Sequence, residues 1–199
     1  MIKLNIKTMI ELIKGSILSG ICISLGGAVN LMIGGPLGAV LFAFGLLSVI
    51  YYSIPLYTGR AGFFKNKEEF LNLFIILFGN IIGCLIIGLL LYPFEYVDGG
   101  NIIFSRIEAG YIKCLCGGIL CGIIMSLAVK AKDQPLLTLF GIPLFILCGF
   151  YHSIADAFYA CCTIKDINLV IDYLPYWGTI IIGNFIGCNI PTTIYGKIR

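Results

Sequence analysis

Long apolar runs, separated by short polar segments, dominate the chain. They cover approximately residues 10–33, 36–57, 70–94, 107–129, 135–161 and 174–195. A helix needs about 20 apolar residues to cross the hydrocarbon core of a bilayer, and each run meets that length. We therefore predict an all-α integral membrane protein with six transmembrane helices and the lipid bilayer as a partner.

Composition supports this class and excludes others. Hydrophobic residues make up 59% of the 199 residues and charged residues 12%, about half the charged share of a typical soluble domain. The net charge of +3 is too small to indicate a nucleic-acid partner. The nine cysteines lie almost entirely in apolar runs, where they act as small apolar side chains. We predict no metal, no cofactor and no enzymatic activity, with a cysteine-based membrane redox protein as an alternative.

The basic residues predict the orientation. With six spans, both termini and the second and fourth loops share one side, which collects ten of the 13 Lys and Arg residues. Basic loops face the cytoplasm, so we predict a multi-pass protein of the cell membrane with both termini cytoplasmic. No A-x-A cleavage site follows the first run, which we expect to be a retained helix. An aromatic belt at the outer ends of the spans is predicted for Tyr92, Tyr96, Tyr173, Tyr176 and Trp177.

The two halves of the chain share a motif. Gly-Asn-x-x-Gly occurs at residues 79–83 in the third run and again at 183–187 in the sixth. Three spans per half with opposite topology indicate an inverted repeat, approximately 1–98 and 99–199, within one channel domain spanning 1–199. Asn80 and Asn184 either line a pathway or form hydrogen bonds between helices, and we favour the hydrogen-bonding interpretation.

An ionisable pair lies within an apolar run. His152, the only histidine, and Asp156 follow the segment 135–148. Ionisable residues at membrane depth are costly and are functional candidates by default. The second and fifth runs both contain Pro and Gly, which predicts broken helices at matching places in the two halves. Such breaks mark substrate sites, so we expect Thr58 in one break to approach His152 in the other.

These motifs together resemble those of the formate–nitrite transporter family. Residues 56–59, Leu-Tyr-Thr-Gly, resemble the family's Leu-Phe-Thr-Gly loop, and residues 149–156, Gly-Phe-Tyr-His-Ser-Ile-Ala-Asp, resemble its Gly-Phe-Glu-His-Ser-x-Ala-Asn motif. The two Gly-Asn-x-x-Gly motifs also agree, and the order and spacing match across essentially the whole chain. The resemblance implies a homopentamer of aquaporin-like protomers, each with its own pore for small monovalent anions.

The resemblance also implies roles for single residues. The family's loop threonine falls on Thr58 and its pore histidine on His152. Its vestibule cation, usually lysine, is here Arg106, which could alternatively be an interfacial anchor. Tyr57 stands where a phenylalanine is usual. The apolar constrictions fall on Phe42, Leu46, Leu56 and Phe145.

Three positions depart from the family pattern. Gly122 replaces an asparagine that contacts the pore histidine, and Arg60 stands where a small polar residue is usual. Asp156 replaces an asparagine: an ionised Asp156 would stabilise an imidazolium but repel anions, whereas a protonated one would imitate the amide.

The sequence thus predicts a channel for formate, nitrite, hydrosulfide or a similar weak-acid anion. A bare anion cannot cross an apolar constriction without a large desolvation cost. Because His titrates near physiological pH, His152 could protonate the anion directly or through Thr58. A pore for a neutral or cationic small solute is the alternative that Asp156 leaves open.

Overall fold

The computed structural model describes residues 6–94, 97–131 and 133–195. These residues form helices joined by short connections. The helices are α1 (Ile6–Ile33), α2 (Gly35–Tyr51), α3 (Tyr57–Arg60), α4 (Lys67–Leu91), α5 (Gly100–Lys130), α6 (Pro135–Leu147), α7 (Ser153–Cys162) and α8 (Ile167–Tyr195).

Four helices in the described ranges are long and apolar enough to cross a membrane: α1, α4, α5 and α8. They correspond to the first, third, fourth and sixth apolar runs. The second run is divided into α2 and α3, and the fifth into α6 and α7. The prediction of broken second and fifth helices is therefore confirmed, and the chain is an integral membrane protein.

Backbone conformation explains where the two helices break. Ser53 adopts a φ of 54° after α2, and Gly149 adopts a φ of 69° after α6. A left-handed residue ends a helix, and glycine adopts that conformation without a steric penalty. Pro55 then keeps the residue before it out of the helical region. The other candidate breaker, Pro143, stays inside α6, so Gly149 and not Pro143 marks the second break.

Asn80 of α4 satisfies the backbone at the first break. Its side-chain oxygen accepts a hydrogen bond from the Tyr57 amide at 2.9 Å, and its amide nitrogen donates to the carbonyl of Pro55 at 3.2 Å. The same nitrogen donates to the Ser16 carbonyl and the Ser19 hydroxyl of α1. One buried amide thus joins α4, α1 and the start of α3.

Asn184 of α8 does the same at the second break. Its oxygen accepts from the Ser153 amide at 2.8 Å, and its nitrogen donates to the Tyr151 carbonyl at 2.8 Å. A further bond reaches the Gly118 carbonyl of α5. Both asparagines are fully buried and bond equivalent backbone groups, which is the hydrogen-bonding role favoured from the sequence.

Small residues let the long helices approach closely. α8 packs on α5 and α4 packs on α1. A Cβ atom at Gly187 of α8 would collide with the carbonyl oxygen of Ile119 in α5, and one at Gly122 would lie 2.5 Å from the Asn184 carbonyl. Side chains at these positions would push the helices apart.

A kink divides α5 near its beginning. Gly110 has a φ of 77° and a ψ of 167°, which only glycine adopts readily. The predicted fourth run began at residue 107, so its start and the kink lie close together. Arg106 therefore sits on the short segment before the kink, which is oriented independently of the rest of α5.

The Asn184 clamp predicts a measurable loss of stability. Asn184→Ala leaves the Ser153 amide and the Tyr151 carbonyl buried without their partner, which costs about 2–4 kcal/mol of unfolding free energy. Asn189→Ala is the matched control: Asn189 is half-buried, and its side-chain amide donates to the carbonyls of Ala61 and Phe185. Its loss should cost about 1 kcal/mol or less.

The readout is unfolding by sodium dodecyl sulfate in mixed micelles, followed by the fluorescence of Trp177. This is the single tryptophan, and its indole N–H donates to the Ser153 carbonyl at 2.7 Å. Equal destabilisation by the two substitutions would contradict a special role for Asn184.

Helix contact predicts opposite effects for two alanine substitutions in α8. Gly187→Ala should lower the unfolding midpoint because its methyl group meets the backbone of α5, whereas a Cβ at Gly178 has no heavy atom within 4 Å. Gly178→Ala should raise the midpoint, by about 1 kcal/mol of helix propensity. A Gly187→Ala protein at least as stable as the wild type would argue against close α5–α8 packing.

Candidate functional site

Thr58 and His152 meet between the two broken helices. The hydroxyl oxygen of Thr58 lies 2.9 Å from Nε2 of His152. Thr58 is the second residue of α3, and His152 is the residue immediately before α7. Both side chains are buried, with exposed fractions of 0% and 2%. The expected approach of these residues is thus confirmed by the structure.

The backbone of α7 fixes which nitrogen of His152 carries the proton. Nδ1 accepts a hydrogen bond from the Ala155 amide at 3.1 Å, so the imidazole caps the helix. A nitrogen that accepts has no proton, and the neutral ring therefore carries its proton on Nε2. Nε2–H donates to Thr58, which leaves the Thr58 hydroxyl proton free to point elsewhere.

Two of the predicted constriction residues, Phe145 and Phe42, lie beside this pair. Phe145 stacks on His152 with ring centroids 5.7 Å apart, and Phe42 meets Phe145 edge-to-face at 6.1 Å. Leu46 and Leu56 are buried in the same core. The structure thus brings Phe42, Phe145 and His152 into one row.

Tyr57, Arg60 and Gly122 take less direct positions. Tyr57 is buried, and its hydroxyl donates to the Ile181 carbonyl at 3.4 Å. Arg60 is exposed at the end of α3. Gly122 faces the backbone of α8, so an asparagine there would not fit without separating the two helices.

Arg106 and Asp156 form a buried ion pair. Nε of Arg106 lies 3.2 Å from Oδ2 of Asp156, and the two side chains are 15% and 1% exposed. The guanidinium also lies over the ring of Tyr151, 4.1 Å from its centroid. The side chain of Arg106 thus turns inward to a carboxylate and a ring, which is not the orientation expected of an interfacial anchor.

Two of the aromatic residues assigned to a belt form hydrogen bonds with the interior. Tyr173 is fully buried, and its hydroxyl donates to Oδ2 of Asp156 at 3.0 Å. Trp177 bonds the Ser153 carbonyl. The belt interpretation is wrong for Tyr173, and Tyr96 lies outside the described residues.

Sequence reasoning missed these residues and Cys188, whose thiol donates to the Thr58 carbonyl at 3.2 Å. A signal was present: positions 173, 177, 184 and 188 recur at intervals of four and seven residues, which places them on one face of α8.

The thiols near the site act as donors to carbonyl groups. Besides Cys188, Cys84 donates to the Ile154 carbonyl at 3.5 Å and Cys114 to the Arg106 carbonyl at 3.4 Å. Within the described ranges, no three His, Cys, Asp or Glu side chains are grouped so that they could hold a metal ion.

Known proteins share this architecture. The formate channel FocA of Escherichia coli strain K12 is 28% identical over 158 residues, which cover 71% of this chain and 52% of that protein. The chain thus spans about half the length of the curated relatives it matches. The solved structure of a pentameric formate channel with formate bound has a TM-score of 0.81 at 17% identity, covering 95% of this chain and 96% of the other.

A second solved structure, an FNT family ion channel, has a TM-score of 0.74 at 18% identity and covers 94% of this chain and 87% of that one. These similarities establish a shared fold. The family model described as formate/nitrite transporter matches residues 1–196. The chain therefore belongs to the formate/nitrite transporter family.

Proposed function

We propose that the protein is a membrane channel for small monovalent weak-acid anions such as formate, with proton assistance from His152. The observation that carries the proposal is the Thr58–His152 contact, in which two buried polar side chains meet between broken helices. The relationship to formate channel FocA and the likeness in fold to a formate-bound channel support the same substrate class.

The apolar neighbours define what the polar pair must do. Phe145 and Phe42 lie on one side of His152, and Leu56 directly precedes α3, two residues before Thr58. A carboxylate that leaves water for such surroundings loses its hydration, whereas the neutral acid passes at much lower cost. The Thr58 hydroxyl, positioned by His152, donates a hydrogen bond to the anion and holds it where it can be protonated.

The proton comes from an imidazolium. A neutral ring that lost its Nε2 proton would become an imidazolate, so transfer requires that Nδ1 be protonated first. Nδ1 then gives up the bond from the Ala155 amide. The Nε2 proton passes to the Thr58 oxygen as the Thr58 hydroxyl proton passes to the carboxylate, which leaves a neutral acid and a neutral imidazole. Proton uptake by His152 is thereby coupled to opening of the α7 cap.

One observation favours a second candidate, a pore for a neutral or cationic small solute. Arg106, whose guanidinium lies over the ring of the residue before His152, is paired with Asp156. An anion would then meet no excess positive charge from this pair. Ammonium is the probe that separates this candidate from an anion channel.

We propose a homopentamer in which each protomer contains its own pore, with six spans arranged as inverted repeats of about 1–98 and 99–199 in one domain. The equivalent bonding of Asn80 and Asn184 at the two breaks supports the repeat. The Lys and Arg distribution supports cytoplasmic termini in the cell membrane. Four of the basic residues counted on the cytoplasmic side lie outside the described residues: Lys3, Lys132, Lys197 and Arg199.

Flux into proteoliposomes tests the proposal. We expect formate uptake to rise as the outside pH falls, because more His152 carries the second proton at lower pH. His152→Phe should lose this flux. His152→Asn keeps a side-chain acceptor for the Ala155 amide but cannot titrate, so it should fold like the wild type and lose the pH-dependent component.

The panel contains formate, nitrite, acetate, hydrosulfide and ammonium. Trp177 fluorescence monitors the α7 start in each variant. Unchanged pH-dependent formate flux in His152→Phe would refute the proton role, and passage of ammonium without any anion would establish the second candidate.

The hydroxyl relay makes a separate prediction at Thr58. Thr58→Val has nearly the same shape but lacks the hydroxyl, and loss of one charge-assisted hydrogen bond should lower formate flux about tenfold or more. Thr58→Ser retains the hydroxyl and should transport faster than Thr58→Val. Equal flux in the two variants would show that Thr58 contributes only its volume.

A further inference from the structure

A buried ion pair lies beside the segment that carries His152. Asp156 follows His152 by one helical turn, and its amide donates to the His152 carbonyl at 2.9 Å. Arg106 lies over Tyr151, the residue before His152. The pair therefore flanks the break in the fifth run on the side of α5 and α8. Its charges contribute to the electrostatic potential at His152.

The carboxylate is held by donors from two other helices. Arg106 of α5 and the Tyr173 hydroxyl of α8 both reach Oδ2 of Asp156, at 3.2 Å and 3.0 Å. Arg106 has one further described bond, from Nη1 to the Ser105 hydroxyl at 3.4 Å. These contacts fix the carboxylate against the guanidinium, so the two side chains together present no net charge.

Packing alone gives little reason for such a pair. Removing two charges from water is costly, and apolar residues of similar volume commonly stabilise a protein as well or better. A guanidinium without a partner would instead attract every anion, whether or not it can be protonated. The carboxylate therefore matters more for ion selection than for packing.

We propose that Asp156 is a specificity-determining residue that neutralises Arg106 and so disfavours anions that cannot be protonated. This inference rests on the proposed function of the same site. Weak acids still pass, because their neutral form needs no cation. The anion of a strong acid, such as nitrate, finds no compensating charge beside His152 and binds weakly.

The test measures formate uptake into proteoliposomes and its inhibition by nitrate. Asp156→Asn should lower the half-saturating formate concentration and the inhibitory nitrate concentration about fivefold, because it unmasks the guanidinium. Arg106→Gln should weaken nitrate inhibition, and Arg106→Gln/Asp156→Asn should lie between the single variants. Glu108→Gln is the matched control, since Glu108 is exposed and lies two residues from Arg106.

The two single variants separate selectivity from folding. An ion pair needed only for structure would make both single variants lose flux, with recovery in the double variant. Electrostatic selection moves nitrate affinity in opposite directions in the single variants. If Asp156→Asn does not assemble, the comparison of Arg106→Gln with the double variant tests the inference. Nitrate should inhibit Arg106→Gln more weakly than the double variant. Equal inhibition of the two overturns the inference.

Failure of the inference differs from failure of the proposed function. If the wild type transports formate but nitrate inhibits Asp156→Asn no more strongly, the inference alone is overturned. It is also overturned if Glu108→Gln changes nitrate inhibition as much as Asp156→Asn does. Absence of anion flux in the wild type and in every variant removes both.

Discussion

The requirement to satisfy backbone groups inside the membrane governs this structure. A break in a transmembrane helix exposes amides and carbonyls to a medium that offers no hydrogen bonds. At each break, the side-chain oxygen of Asn80 or Asn184 accepts a hydrogen bond from a backbone amide. The side-chain nitrogen of the same asparagine donates to the carbonyl two residues earlier. Because both amides come from the facing long helices, α3 and α7 are held in fixed positions, and the residues at their starts can be placed accurately.

The candidate site depends directly on those clamps. His152 and Thr58 lie within one or two residues of the backbone groups that the asparagines bond, so the clamps determine the 2.9 Å contact between them. Helix capping by Nδ1 adds a further constraint, because it fixes the neutral tautomer with Nε2–H directed at Thr58. A polar pair in apolar surroundings thus has one orientation, in which the Thr58 hydroxyl proton is the donor left for another partner.

The ion pair of Arg106 and Asp156 joins two helices beside the candidate site. The guanidinium reaches the carboxylate because the Gly110 kink frees the first segment of α5 from the direction of the rest of the helix. Tyr173 completes the arrangement from α8. The guanidinium of α5 and the buried hydroxyl of α8 converge on one carboxylate oxygen of α7.

Sequence and tertiary structure contributed differently to these conclusions. Apolar run lengths determined the membrane class, and Pro and Gly at matching places determined that the second and fifth helices break, since these effects act over a few neighbouring residues. The local signal did not choose between Pro143 and Gly149 for the second break, because Pro143 remains inside α6 while Gly149 adopts a left-handed conformation.

Sequence patterns could indicate that Thr58 and His152 approach each other, but they could not show that Nδ1 of His152 caps α7 while Nε2 faces Thr58. The partner of Arg106, the burial of Tyr173 and the facing of Gly122 towards α8 were decided only by how the helices pack. Residues 106, 156 and 173 are separated along the chain, and Arg106 and Tyr173 each allow an interfacial interpretation when taken alone. Sequence therefore determined the class, the breaks and the polar candidates, whereas tertiary packing decided the charge state of the site's surroundings, because electrostatic pairing depends on distance in space.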